Sequence, residues 1–133
     1  MPDPIRVILV DDQSLVRSGF RMLIESEDDM EVVSEASNGL EALDVLRRMP
    51  VDVALMDIRM PQMDGVEATR RITASPLDTK VLILTTFDLD EYVYAALKAG
   101  ASGFLLKDAR PTELLSAIST VAHGDAVVAP SGT

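Results

Sequence analysis

Asp11 and Asp12, Asp57, Thr85 and Thr86, and Lys107 share a position: each stands at the end of a short run rich in Val, Ile and Leu. Those runs are Ile5–Val10, Val53–Met56, Val81–Thr85 and Gly103–Leu106. As parallel strands of one open sheet they would bring their carboxyl ends to one edge, where sites form in such sheets. Three carboxylates, a hydroxyl and an ammonium would then converge. Carboxylates held close repel one another, and one tends to hold a proton unless a cation joins them. A hard divalent cation such as Mg²⁺ (or Mn²⁺) takes oxygen ligands of this kind and keeps several waters. It would neutralise the oxygens of an arriving phosphate. Asp57 could attack a phosphoryl donor and become an aspartyl phosphate. Lys107 could pair with a phosphate oxygen as a point charge, and Thr85 could donate its hydroxyl to another.

Each residue alone has an ordinary explanation. An Asp-Asp pair after a strand commonly caps a helix and leaves its neighbour solvated. Asp64-Gly65 is a turn signal, a strand-terminal Thr reflects β-propensity, and a lone Lys is usually solvated. The conjunction carries the weight: separate strand ends supply complementary groups at one edge.

The elements that must position them alternate along the chain. The four runs above, with Glu31–Ala36, read as strands buried on both faces. Between them, apolar residues recur at helical spacing. One face is Val16, Phe20, Leu23 and Ile24; another is Ala42, Leu43, Leu46 and Met49. A shorter helix spans about 66–74, a fourth carries Val93, Ala96 and Leu97, and the last carries Leu114, Leu115, Ile118, Val121 and Ala122. Asn38 and Asp64 suit helix N-caps. Gly100 suits a left-handed C-terminal position, and Pro111 opens a helix where its missing N–H costs nothing. A β-α unit repeated five times predicts an α/β fold, a parallel sheet with helices on both faces and right-handed crossovers. Residues 1–123 form one domain on this reading. The stretch 124–133, GDAVVAPSGT, loses helical pattern and reads as the start of a linker or a frayed tail.

Composition narrows the function. The 133 residues carry 12 Lys+Arg against 22 Asp+Glu, a net charge of -10. Phosphate backbones would repel such a surface, so no direct nucleic-acid contact is expected. Aromatics at 4% and no Trp argue against base stacking. Cysteine is absent, which excludes disulfides and thiolate chemistry. No apolar run reaches the roughly 18 to 20 residues of a membrane span. The opening MPDPIR lacks a signal-peptide layout, so a soluble cytoplasmic protein is expected.

Four motifs make the sequence recognisable: VILVDD at 7–12, ALMDIRMPQMDG at 54–65, VLILTTFD at 81–88 and ALKAGASGFLLKD at 96–108. Together they resemble the receiver domain of two-component response regulators, over nearly the whole chain. The last two look most like NarL/FixJ-type regulators, which usually carry a C-terminal LuxR-type helix-turn-helix. The resemblance implies a flavodoxin-like (βα)5 doubly wound sheet with strand order 2-1-3-4-5. It implies Asp57 as phosphoacceptor from a sensor histidine kinase. It implies Mg²⁺ held by Asp11, Asp12, Asp57 and the backbone carbonyl of Arg59. Thr85 becomes the switch hydroxyl, Lys107 the phosphate-pairing lysine and Phe104 the switch aromatic. Phosphorylation would draw in Thr85, let Phe104 turn inward and alter an output surface, giving a homodimer. DNA contact would belong to an output domain outside this chain.

The sequence departs from the family in places. Many receivers follow the lysine with Pro through a cis peptide; Asp108 stands here, and a non-proline cis bond costs about 2.5–4 kcal/mol, so cis geometry is not to be assumed. Arg59 and Phe87 lie two residues past Asp57 and Thr85, positions that tune phosphate lifetime, and both are expected to restrict water. A phosphohydrolase of the haloacid dehalogenase type is the alternative from another class. It would need a second Asp where Arg59 stands. A flavodoxin-like cofactor binder would need a Gly-rich phosphate loop where Asp11-Asp12 stands. The acidic Glu25–Asp29 segment reads as a solvated turn or a contributor to kinase recognition. Met60 and Met63 read as loop packing, and His123 as a helix-closing cation.

Overall fold

The computed structural model describes residues 3–86, 91–124 and 127–128. Its strands are β1 (Ile5–Val10), β2 (Met30–Ala36), β3 (Val53–Asp57), β4 (Lys80–Thr85), β5 (Gly103–Leu106) and β6 (Val127–Val128). The helices are α1 (Ser14–Glu25), α2 (Gly39–Arg48), α3 (Gly65–Thr73), α4 (Glu91–Lys98) and α5 (Pro111–Ala122). Every strand pair is parallel and the order is β2-β1-β3-β4-β5-β6. The expected order 2-1-3-4-5 is therefore present, with one addition. The two-residue β6 pairs Gly103 with Val127 and Phe104 with Val128. It falls inside the stretch read from sequence as a linker or frayed tail, whose other residues beyond Gly124 lie outside the described ones.

Side chains alternate across the sheet, as the two-residue strand period requires. Ile8, Val10, Ala54, Met56, Ile83 and Phe104 enter one core beneath α2, α3 and α4. Val7, Leu9, Val53, Leu55, Leu82 and Leu84 enter another with Ile24 of α1 and Leu114, Ile118 and Val121 of α5. Strands β1, β3 and β4 are thus covered on both faces. β2 also feeds both cores, Met30 and Val32 one and Ala36 the other, but Glu31, Val33, Ser34 and Glu35 are only half-buried. It lies at the sheet edge, where charged side chains remain in reach of water.

The punctuation signals hold. Asn38 Oδ1 accepts the Glu41 N–H at 3.0 Å, and Asp64 Oδ1 accepts the Glu67 N–H at 2.9 Å. Gly100 closes α4 at φ +113°, and Pro111 opens α5. Met49 lies just past α2 as its C-cap, because Pro50 ends the helix.

Candidate phosphoryl-transfer site

Strand β3 runs one residue further than its apolar pattern, so Asp57 is itself in register, paired with Leu84 of β4. A sheet position holds its Cα far more firmly than a loop would. Immediately after it the chain turns back. The Gly65 N–H reaches the Ile58 carbonyl at 2.7 Å, and a Cβ on Gly65 would collide with the Asp57 backbone carbonyl. That close approach explains the glycine of the MDG motif. Gln62 takes φ 67° within the same loop.

The structure brings the expected residues together. Asp11, Asp12 and Asp57 each offer a carboxylate oxygen, and these atoms lie within 4.8 Å of one another. Lys107 Nζ lies 2.8 Å from Asp11 Oδ2 and 3.4 Å from Asp57 Oδ1. Asp57 Oδ1 also accepts the Ile58 N–H at 2.9 Å. A cavity of about 280 Å³ opens over this group, lined in part by Asp12, Asp57, Arg59, Thr85 and Lys107. Thr85 is buried at its wall, and its carbonyl accepts the Lys107 N–H at 2.7 Å, locking β4 to the lysine's own backbone. No cis peptide occurs among the described residues, so Lys107–Asp108 is trans.

Electrostatics separate this group from an ordinary ion pair. Burial and the charge of Asp11 push the Asp57 carboxyl above its ordinary pKa, despite the pull of Lys107 and the Ile58 N–H. Burial also works against the Lys107 ammonium. The Asp11 hydrogen bond and the two carboxylate charges overcome it, and the lysine rises above its ordinary value. One ammonium therefore serves two of the three carboxylates. Among the described residues no hydrogen bond or ion pair holds the Asp12 carboxylate, which is exposed. A donor set of clustered carboxylates with one free arm suits a hard divalent cation.

Phe104 is the residue expected to turn inward on phosphorylation. It is already wholly buried, in the core beneath α3 and α4. A Phe has no hydroxyl to satisfy at the surface, so apolar burial governs its resting place. Phe87 lies outside the described residues.

Two contributors were not read from the sequence. The Arg59 guanidinium sits 4.8 Å from the centre of the Tyr92 ring of α4, across the cavity mouth. Gln13 donates its backbone N–H to Asp11 Oδ1 at 2.9 Å, occupying that oxygen. The Arg59–Tyr92 partnership crosses from one loop to another element and leaves no local pattern. Gln13 was findable: an N–H two residues past an Asp is a common acceptor-side partner.

The response regulator receiver domain model matches residues 7–119. The chain is 47% identical over 125 residues to the uncharacterized transcriptional regulatory protein YxjL of Bacillus subtilis, covering 94% of this chain and 57% of that protein. It is 42% identical over 130 residues to the oxygen regulatory protein NreC of Staphylococcus carnosus, covering 97% and 60%. Its fold matches the signal receiver domain of NarL from Mycobacterium tuberculosis with a TM-score of 0.88 at 39% identity, covering 92% of this chain and 99% of that one. A LuxR-family response regulator from an Aurantimonas species matches with a TM-score of 0.89 at 36% identity, covering 96% and 91%. The chain belongs to the response regulator receiver domain family, a family of signalling domains, and its relatives are regulators of the NarL/LuxR type. It spans 57% and 60% of the lengths of the two curated relatives named. Among the described residues no helix is long and apolar enough to cross a membrane.

Proposed function

We propose that this receiver accepts a phosphoryl group on Asp57 from the phosphohistidine of a sensor histidine kinase. One observation carries the reading: Lys107 lies between Asp11 and Asp57 at a sheet edge that also gathers Asp12 and Thr85. Asp11, Asp12, Asp57 and the Arg59 carbonyl would hold Mg²⁺ or Mn²⁺, which when bound offsets the charge on the phosphoryl oxygens.

The chain's own residues account for the rest. An Asp57 carboxylate oxygen forms the new P–O bond as the donor's P–N bond breaks, and the bonding pair leaves with the imidazole. Lys107 shifts from its carboxylate partners to a phosphoryl oxygen, as a charge-assisted contact. Thr85 donates its hydroxyl to another oxygen. β3 keeps Asp57 aligned, which limits the reorganisation that transfer requires. Hydrolysis later returns the carboxylate.

The added charge biases a pre-existing equilibrium of the surrounding elements and so favours a homodimer. The change in this chain is carried by Thr85, by Phe104 and by the cavity wall that includes Tyr92. In the whole protein the dimer would control transcription through a LuxR-type helix-turn-helix domain. DNA contact would belong there and not to this acidic chain. The cytoplasm is the expected location.

The hydrolase alternative lacks its acid/base: Arg59 occupies that position, and its guanidinium faces Tyr92. Incubation with acetyl phosphate and Mg²⁺, read by intact mass, tests the proposal. One added phosphoryl group is expected, absent in Asp57→Ala. Continuous phosphate release at enzymatic rates would overturn the reading.

A further inference from the structure

Asp11 and Asp12 are placed by different means. Asp11 is held at every polar atom: its N–H by the Ala36 carbonyl at 3.0 Å, Oδ1 by Gln13, and Oδ2 by Lys107. Among the described residues the Asp12 side chain has no partner, so the direction in which it leaves β1 rests on its backbone. The peptide joining the two residues is planar, and the Asp11 carbonyl lies in that plane. Whatever fixes that oxygen fixes the plane, and with it where Asp12 starts.

Arg17 fixes it. From α1 its Nη1 donates to the Asp11 carbonyl at 2.5 Å, while its Nε donates to Glu35 Oε1 at 2.7 Å. Glu35 is anchored on β2, in register with Leu9 of β1. The other Glu35 oxygen takes Arg21 Nε at 2.8 Å. The Arg17 side chain is only 17% exposed, against 37% for Arg21. Both arginines share Glu35, but only Arg17 reaches the Asp11 carbonyl. A guanidinium is suited to this double duty because its donors sit in a rigid fork; an ammonium presents a single point.

We propose that Arg17 is a positioning residue for the cation site: its bridge from Glu35 to the Asp11 carbonyl orients the Asp11–Asp12 peptide so that the Asp12 carboxylate faces Asp57. This rests on the reading of the three carboxylates as a divalent-cation site. Partners one layer behind metal ligands typically change affinity by about 10- to 100-fold when removed.

The test is a titration with Mn²⁺ alone, following the free ion by electron paramagnetic resonance, in the wild type, Arg17→Met, Arg21→Met and Glu35→Gln. Urea midpoints are measured in parallel. Arg17→Met is expected to raise the Mn²⁺ dissociation constant about tenfold. Arg21→Met, which also loses a Glu35 contact, should lower the urea midpoint without changing Mn²⁺ affinity. That split separates positioning from mere stabilisation. Should Arg17→Met not fold, Glu35→Gln removes the charge that aims the guanidinium and should still weaken Mn²⁺ binding. Unchanged affinity in the folded Arg17 or Glu35 variant, or an equal loss in Arg21→Met, overturns the role of Arg17. A wild type that binds no Mn²⁺ overturns the cation site itself, and the proposal with it.

Discussion

The two ends of the sheet handle charge in opposite ways. At the amino ends of the strands Arg6, Asp52 and Thr79 close loops. The Asp52 carboxylate accepts the Arg6 N–H at 2.8 Å, and the Asp52 carbonyl accepts the Lys80 N–H at 2.9 Å. Arg6 Nε meets the Pro50 carbonyl at 2.8 Å, and the Thr79 hydroxyl meets the Val51 carbonyl at 2.8 Å. At the carboxyl ends, carboxylates crowd one another around a single ammonium. The amino end even has the larger hollow, about 460 Å³ against about 280 Å³. Size therefore does not mark the site. Incompletely balanced like charge does, because it stores interactions that only an incoming cation and phosphate can satisfy.

The largest way to break this comparison is chemical. Asp57→Ala should abolish the phosphoryl adduct seen by intact mass with acetyl phosphate, whereas Asp52→Ala should leave it intact. An adduct surviving in Asp57→Ala would move the chemistry elsewhere.

Kinetic effects come next. Arg59 and Phe87 are proposed to restrict water at the phosphorylated site, and Tyr92 holds the Arg59 side chain across the cavity mouth. Arg59→Ala, Phe87→Ala and Tyr92→Ala should each shorten the phosphate half-life severalfold, followed by loss of the adduct with time. Half-lives equal to wild type in all three would refute the shielding idea.

Stability should show opposite signs at the two ends. In metal-free buffer Asp57→Asn removes one of three crowded carboxylates and should raise the urea midpoint. Asp52→Asn weakens a charge-assisted loop contact and should lower stability by about 1 kcal/mol. Shifts of the same sign would erase the contrast.

The smallest effect concerns Glu35. Burial acts against its charge, but hydrogen bonds from Arg17 and Arg21 and their charges hold its pKa below the ordinary value. A lowered folded-state pKa contributes stability above the unfolded value and loses it as pH falls through the folded one. The pair is partly exposed, so the wild type should exceed Glu35→Gln by less than about 1 kcal/mol at neutral pH. Acid should close that gap, as read from urea melts along a pH series.

Much of this architecture was legible in the chain. Strand runs, helix faces and caps depend on neighbours a few residues apart, so Asn38, Asp64, Gly100 and Pro111 could be placed from local rules. The site residues were legible because open parallel sheets gather their strand ends. Less local features were not. β2 read like any inner strand because of Val32 and Val33, yet its place at the edge leaves Glu35 half-buried, where it meets two arginines. β6 is two residues long, too short for periodicity to register. The resting place of Phe104 depended on the space between the sheet and its helices.

The sequence alone determined that alternating apolar patterns would build a parallel sheet, and that its strand ends would carry Asp11, Asp12, Asp57, Thr85 and Lys107. Only the tertiary structure decided which atoms meet. Lys107 and Asp11 are 96 residues apart, yet their charged atoms lie 2.8 Å apart. The guanidinium of Arg17 chooses a backbone carbonyl as well as a carboxylate. Such choices follow from distances of a few tenths of an ångström between separate elements. Residue types and spacing set which groups can attract, but packing sets which ones arrive.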